Sequence, residues 1–197
     1  MSQFRIKKDP TNQFRRPALP EDMRYRRIQK ATFAEKMEKL LPKEKHLCFH
    51  GTPIWNAQEI LRSGNISAEI DRKGAGEDIL NMSGTISVTT VADLWWTVKE
   101  FADLANFNYP AGCIFVLEPK NESEFNSAKQ HKTIENVNLI TDSKRLKNII
   151  TTPENLERVR GWIGKSELNL DPKIVVDYDS FLKDCEKNFF KQDKELS

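Results

Sequence analysis

The sequence predicts an α+β protein whose β-sheet is split or sandwiched and flanked by helices. Two observations carry this expectation. Short apolar or alternating runs recur at 47–49, 84–89, 112–117, 135–140, 146–150 and 173–176, each the length of a strand. The segments of helical spacing among them do not alternate regularly with these runs, as a doubly wound parallel sheet would require.

A chain of 197 residues is long enough for one sizeable core and short for two. One domain over 46–197 is therefore expected, preceded by a basic arm and N-terminal helices over 1–45. Charged residues make up 30% of the chain and apolar residues 38%, which excludes a disordered chain and favours a soluble one. No run approaches the roughly 18 apolar residues of a membrane span, and the polar N-terminus lacks the pattern of a secretory signal. Cys48, Cys113 and Cys185 are odd in number and scattered, which predicts reduced thiols in a cytoplasmic setting.

The net charge of +2 conceals an asymmetry. Residues 1–46 hold 13 Lys/Arg against 6 Asp/Glu, a balance of +7, and the remainder holds 18 against 23, a balance of −5. A solvated helical face is the plainer explanation of the basic arm. Nucleic acid, an anionic membrane surface or an acidic partner are its functional alternatives.

The elements follow in order. Pro10, Pro17 and Pro20 make 1–20 an extended arm with little share in the core. Over 21–41, Tyr25, Ile28, Phe33, Met37, Leu40 and Leu41 predict one or two amphipathic helices, ended by Pro42 and packed across the body. The run 47–49 is a buried strand. Thr52 as N-cap and Pro53 in the first helical position then start a helix carrying Ile54, Ala57, Ile60 and Leu61, which Gly64 terminates. The polar, glycine-containing loop beginning at 71 has the composition of a lid.

The alternation over 84–89 puts Thr85, Ser87 and Thr89 on one strand face. Thr90 with Asp93 gives a capping-box-like start to a helix carrying Val91, Leu94, Trp95, Val98, Phe101, Ala102 and Ala105. The run 112–117 is a central strand, followed by a polar stretch over 120–133. Strands at 135–140 and 146–150 come next, and Thr152-Pro153 starts a short helix through about 162. A strand over 173–176 and an amphipathic helix over 180–191 close the chain.

His50 stands where the first strand hands over to a helix. Gly51 beside it permits close approach of a ligand to the backbone, and the N–H groups of the helix start can face an anion or a carboxamide. His46, Cys48 and His50 share a strand face, but one strand seldom offers three ligands to a single ion and no fourth is evident, so no metal is expected.

Taken together, the Phe49-His50-Gly51-Thr52 segment, the Ile86-Ser87-Val88-Thr89-Thr90 strand and the Glu135-Asn136-Val137-Asn138-Leu139-Ile140 strand resemble the three motifs of the ADP-ribosyltransferase superfamily, over roughly 47–151. The first motif is in its histidine form. The second departs from the pattern, since a histidine first motif usually accompanies a tyrosine there. Thr133 stands where many arginine-modifying members carry a second Glu or Gln, so arginine is not implied as the acceptor.

The resemblance implies an ADP-ribosyltransferase-like split antiparallel or mixed sheet and NAD as co-substrate, with no metal. Glu135 and His50 are the implied catalytic residues. Glu135 stabilises the oxocarbenium-like ribose left when nicotinamide departs, and His50 bonds a ribose hydroxyl. Gly51 and Thr52 take the nicotinamide side of the cofactor, Ser87 and Thr89 position Glu135, and Trp96, ahead of Trp95, stacks on the nicotinamide ring. The loop over 71–83 folds across the cofactor. His131 and Glu118 are the alternatives for the role given to Glu135.

The function so implied is mono-ADP-ribosyl transfer to a macromolecule, by a monomeric effector or toxin that works in cytoplasm, its own or that of a target cell. A protein acceptor is the first expectation, and a nucleic-acid acceptor reached through the basic N-terminus is the second. An RNA 2′-phosphotransferase-like enzyme and a non-catalytic NAD- or nucleic-acid-binding module are the competing functions.

Overall fold

The computed structural model describes residues 35–41, 46–67, 84–94 and 112–195. The expectations for 1–34, for the loop over 71–83 and for the helix beyond Leu94, including Trp95 and Trp96, lie outside the described residues.

The chain is a mixed α+β protein built on a five-stranded sheet. The strands are β1 (Cys48–Thr52), β4 (Thr89–Thr90), β5 (Cys113–Leu117), β8 (Leu146–Thr151) and β9 (Val175–Asp177), in the order β4-β1-β5-β8-β9. All neighbours are antiparallel except β8 and β9. Two small antiparallel ribbons stand apart from it. One pairs β2 (Asn65–Ile66) with β7 (Val137–Asn138), and the other pairs β3 (Thr85–Ser87) with β6 (Thr133–Glu135).

Helices cover both faces of the main sheet. Cys48, Cys113, Phe115, Leu117 and Ile149 pack on one face with Ile60 and Leu61 of α1 (Ile54–Ser63), Phe125 and Ala128 of α2 (Glu122–His131), and Val159 and Ile163 of α3 (Leu156–Lys165). Phe49, Ile114, Val116 and Ile150 alternate onto the other face, against Met37 and Leu41 and against Tyr178, Phe181 and Leu182 of α4 (Tyr178–Glu195). A strand buried on both faces reads as a continuous apolar run, as β5 does. Its central place in the sheet matches the expectation for 112–117.

Several boundaries differ from those expected. β1 continues through Thr52, which is paired with Cys113, so Pro53 occupies the cap position of α1 and no side chain caps it. Gly64 ends α1 at φ 71°, in the left-handed conformation expected of a terminator. The polar stretch over 120–133 is mostly helix. Asn121 caps α2 by accepting from the Glu124 N–H at 2.9 Å, and Glu124 reaches back to the Lys120 N–H at 2.5 Å. The strand expected over 135–140 is instead two short pieces, β6 and β7, followed by a turn. The strand expected over 173–176 is shifted to Val175–Asp177, behind a 3₁₀ turn at Pro172–Ile174 that Asp171 caps. Cys48 and Cys113 are buried free thiols, and burial pushes each up to about 12.

Candidate functional site

The run 85–90 connects the ribbon to the main sheet. Thr85, Ile86 and Ser87 stand opposite Glu135, Ile134 and Thr133 in the β3–β6 ribbon. Two residues later Thr89 and Thr90 stand opposite Phe49 and Cys48 at the sheet edge. Between them the Val88 N–H donates to the Lys132 carbonyl at 2.8 Å. One continuous segment thus touches both β1 and β6.

His50 fixes that crossing point. Its Nδ1 lies 2.8 Å from the Ser87 carbonyl oxygen. A carbonyl only accepts, so Nδ1 carries the proton and the neutral ring is the Nδ1–H tautomer. The ring is 2% exposed and lies 6.4 Å from the Phe115 ring, centroid to centroid. His46 takes a different direction, stacking on Phe125 at 4.2 Å and approaching Glu122 at 3.3 Å.

The other sequence-predicted residues occupy distinct settings. Gly51 is half-buried in β1, and Thr52 is fully buried beside it. Ser87 is exposed on the ribbon, while Thr89 is buried at the sheet edge. The alternation that relates Ser87 and Thr89 therefore does not give them one environment. Glu135 is exposed at the end of β6. Ser87 and Glu135 are diagonal neighbours across the ribbon, a relationship that spans about 7–8 Å in antiparallel pairs. Of the alternatives to Glu135, Glu118 pairs with Lys147, and His131 ends α2.

Glu135 accepts a hydrogen bond from Lys120 Nζ at 2.9 Å. This bond and the lysine charge hold the carboxyl below its ordinary range, and the same contact raises Lys120. Both groups are open to solvent, so the pair adds little to stability. The contact sets the Lys120 ammonium beside the Glu135 carboxylate.

Lys120 and Glu135 border a cleft of about 250 Å³ between α2 and the ribbon, completed by Thr85, Asn121, Ser123, Glu124, Ser127 and Ile134. Its lining includes none of His50, Gly51, Thr52, Ser87 or Thr89. The structure therefore joins His50 to the Glu135 ribbon through the backbone of Ser87, and not across this cleft.

At the inner wall Glu124 Oε2 accepts from Arg145 Nη2 at 2.6 Å, and both side chains are over nine-tenths buried. Arg145 Nε also donates to the Glu118 carbonyl at 3.0 Å, fixing the connection from β5 to α2. Two atoms of this pair, Glu124 Oε1 and Arg145 Nη1, are buried without a hydrogen-bond partner. An unsatisfied buried polar atom costs about 1–3 kcal/mol, and more when charged.

Sequence reasoning did not single out Lys120, Glu124, Ser127 or Arg145. Asn121 followed three residues later by Glu124 is a helix-start signal that could have located α2, and with it the cleft wall. Nothing local announces the partnership of Glu124 with Arg145.

Among the described residues no group of three or more His, Cys, Asp and Glu is arranged to hold a metal ion, and no helix is long and apolar enough to cross a membrane. Comparison with family models, with curated proteins and with solved structures finds no match.

Proposed function

We propose that the chain is an NAD-dependent mono-ADP-ribosyltransferase, with a finer fold of the split-sheet ADP-ribosyltransferase type. One observation carries the reading. The segments bearing the three resembling motifs are neighbours, since β1 with His50 borders the 85–90 run, and that run pairs with β6 bearing Glu135.

NAD brings the leaving group. The bond between the ribose C1′ and the nicotinamide nitrogen breaks, its electrons depart with nicotinamide, and the ribose becomes oxocarbenium-like. Glu135, beside Lys120 at the end of β6, supplies the opposing charge where positive charge develops. A lone pair of the acceptor then bonds C1′, and the acceptor proton passes to the carboxylate or to water. The resemblance assigns His50 a ribose hydroxyl and Gly51 the carboxamide side of the cofactor; the His50 ring is 2% exposed and holds the Ser87 carbonyl through Nδ1, which keeps the 85–90 run beside β6. A protein is the first acceptor class, and a nucleic acid engaged by the basic N-terminal residues is the second.

The test is incubation of the full chain with NAD labelled in its adenylate portion, in cell lysate. Label on a macromolecule with wild type, lost with Glu135→Ala and with His50→Ala, supports the reading and identifies the acceptor class. Transfer that persists undiminished in Glu135→Ala overturns the role given to that residue.

A further inference from the structure

We infer that Arg145 is a positioning residue for Glu135, acting through Glu124 and the backbone of Lys120. Its bearing on turnover rests on the proposed function, whereas the positioning itself is read without NAD.

An unbroken series of contacts joins the two groups. Arg145 Nη2 donates to Glu124 Oε2 at 2.6 Å, and the same oxygen accepts the Lys120 N–H at 2.5 Å. Lys120 Nζ then donates to Glu135 Oε2 at 2.9 Å. Arg145 also holds the residue two before Lys120. Its Nε donates to the Glu118 carbonyl at 3.0 Å, and its own carbonyl accepts the Glu118 N–H at 2.8 Å. The Glu118 side chain pairs with Lys147, two residues after Arg145. The connection from Glu118 to Lys120 is therefore held at one end by Arg145 itself and at the other by the carboxylate that Arg145 fixes.

The two halves of this series differ in setting. The Arg145 and Glu124 side chains are 9% and 8% exposed, while those of Lys120 and Glu135 are 42% and 70% exposed. An exposed Lys–Glu pair gains little in water and gives up side-chain freedom to form, so it depends on backbone origins already in place. Pairing of β6 with β3 supplies the origin of Glu135. Lys120 belongs to no strand or helix, so its origin comes from the Glu124 carboxylate.

Stability is a poor explanation for the buried pair. A buried ion pair is a weak source of it, and this one leaves Glu124 Oε1 and Arg145 Nη1 without hydrogen-bond partners. What the pair supplies is geometry, because a planar guanidinium fixes the carboxylate that receives the Lys120 N–H. The charged groups about Glu135 are Lys120, Glu124 and Arg145, and the residue opposite it on β3 is the uncharged Thr85. Removing Arg145 and Glu124 together takes away one charge of each sign, so what remains is the loss of position.

The experiment is a carboxyl ¹³C titration of Glu135 in the full chain, for wild type, Lys120→Met, the charge-balanced Arg145→Met/Glu124→Leu, and the triple variant that combines them. Arg145→Met/Glu124→Leu should raise the Glu135 midpoint toward the ordinary value of 4.5, as Lys120→Met does, and should add nothing in the Lys120→Met background. An unchanged midpoint in Arg145→Met/Glu124→Leu overturns the inference. So does an equal rise with and without Lys120, since the pair would then act on Glu135 by charge alone. Amide hydrogen exchange of the wild type decides should the paired variant fail to fold. The Lys120 N–H should exchange about tenfold or more slowly than an open amide, and exchange at the open rate overturns the inference. Under the proposed activity, kcat for nicotinamide release should fall about tenfold in Arg145→Met/Glu124→Leu with KM for NAD little changed, and an undiminished kcat overturns the role in turnover. A wild type without NAD turnover would remove the proposed function and leave the positioning standing. Turnover by the wild type beside an unmoved Glu135 midpoint in the paired variant would do the reverse.

Discussion

The imidazole of His50 donates from Nδ1 to the backbone carbonyl of Ser87 at 2.8 Å, across 37 positions of sequence. The bond holds the segment that crosses from the ribbon to the sheet against the strand before α1. His50→Ala removes the donor and empties a buried site. We expect a loss of about 1–3 kcal/mol from the hydrogen bond alone, with a cavity contribution added. His50→Asn, whose amide can reproduce the donor, should lose less. Urea unfolding monitored by circular dichroism measures both, and equal losses would refute the assignment of the Nδ1–H bond.

Lys120 lowers the pKa of the Glu135 carboxyl through a hydrogen bond and its charge. Because the folded-state pKa is depressed, the pair's contribution is fully present above the ordinary carboxylate value of 4.5, and it is lost as pH falls through the lowered value. Lys120→Met should return the Glu135 carboxyl toward its ordinary range. Carboxyl ¹³C titration reads this directly. Under the proposed activity, the acid limb of the pH–rate profile should move to higher pH in the same variant, with the neutral-pH rate the less affected quantity.

The buried Arg145–Glu124 pair predicts a larger effect on folding. Arg145→Met leaves Glu124 buried without its counter-ion and frees the Glu118 carbonyl of one donor. Such a truncation costs about 3–5 kcal/mol. The double variant Arg145→Met/Glu124→Leu should recover a large part of the loss, because no charge is then stranded. Additive losses in the double-mutant cycle would contradict the pairing.

Gly64 ends α1 at φ +71°, and a Cβ built there would lie 2.8 Å from Ile140 Cγ1. Gly64→Ala should cost about 1–2 kcal/mol from the left-handed backbone, plus the contact. Ile140→Ala in the same chain should relieve that contact and leave the backbone cost together with the 3.1 Å approach to Leu168 Cδ2. Denaturation midpoints of the single and double variants separate the two contributions.

How far the fold was legible depended on whether local pattern or tertiary pairing decided each element. β5 was placed well because its apolar run is continuous, and β8 was placed to within one residue from Leu146, Ile149 and Ile150 although Lys147 and Asn148 interrupt the run. Gly64 was legible because a left-handed position favours one residue type. Thr52 carried a good cap chemistry that lost to five paired positions with β5, which extended the strand through it. α2 was hidden because only Phe125 and Ala128 of its ten residues are buried apolar groups, too few to give a helical period. β6 began earlier than expected because its extent follows from pairing with β3, which a one-strand pattern does not contain.

The candidate site was legible in the same partial way. His50, Ser87 and Glu135 were singled out from their attachment to strands, and those strands do adjoin. The cleft beside Glu135 was invisible, since Glu124 and Arg145 are 21 positions apart and each alone looks like an ordinary surface charge. Their burial comes from the connection between β5 and α2, a tertiary feature.

The most direct measurement of the central claim is the release of nicotinamide from NAD by the purified full chain in the presence of cell lysate, set beside NAD affinity for wild type and Glu135→Gln. The account predicts catalytic release by the wild type, loss of at least a hundredfold in Glu135→Gln, and NAD affinity changed by less than about tenfold, which corresponds to 1.4 kcal/mol. Absence of both NAD binding and nicotinamide release in the wild type would contradict the account.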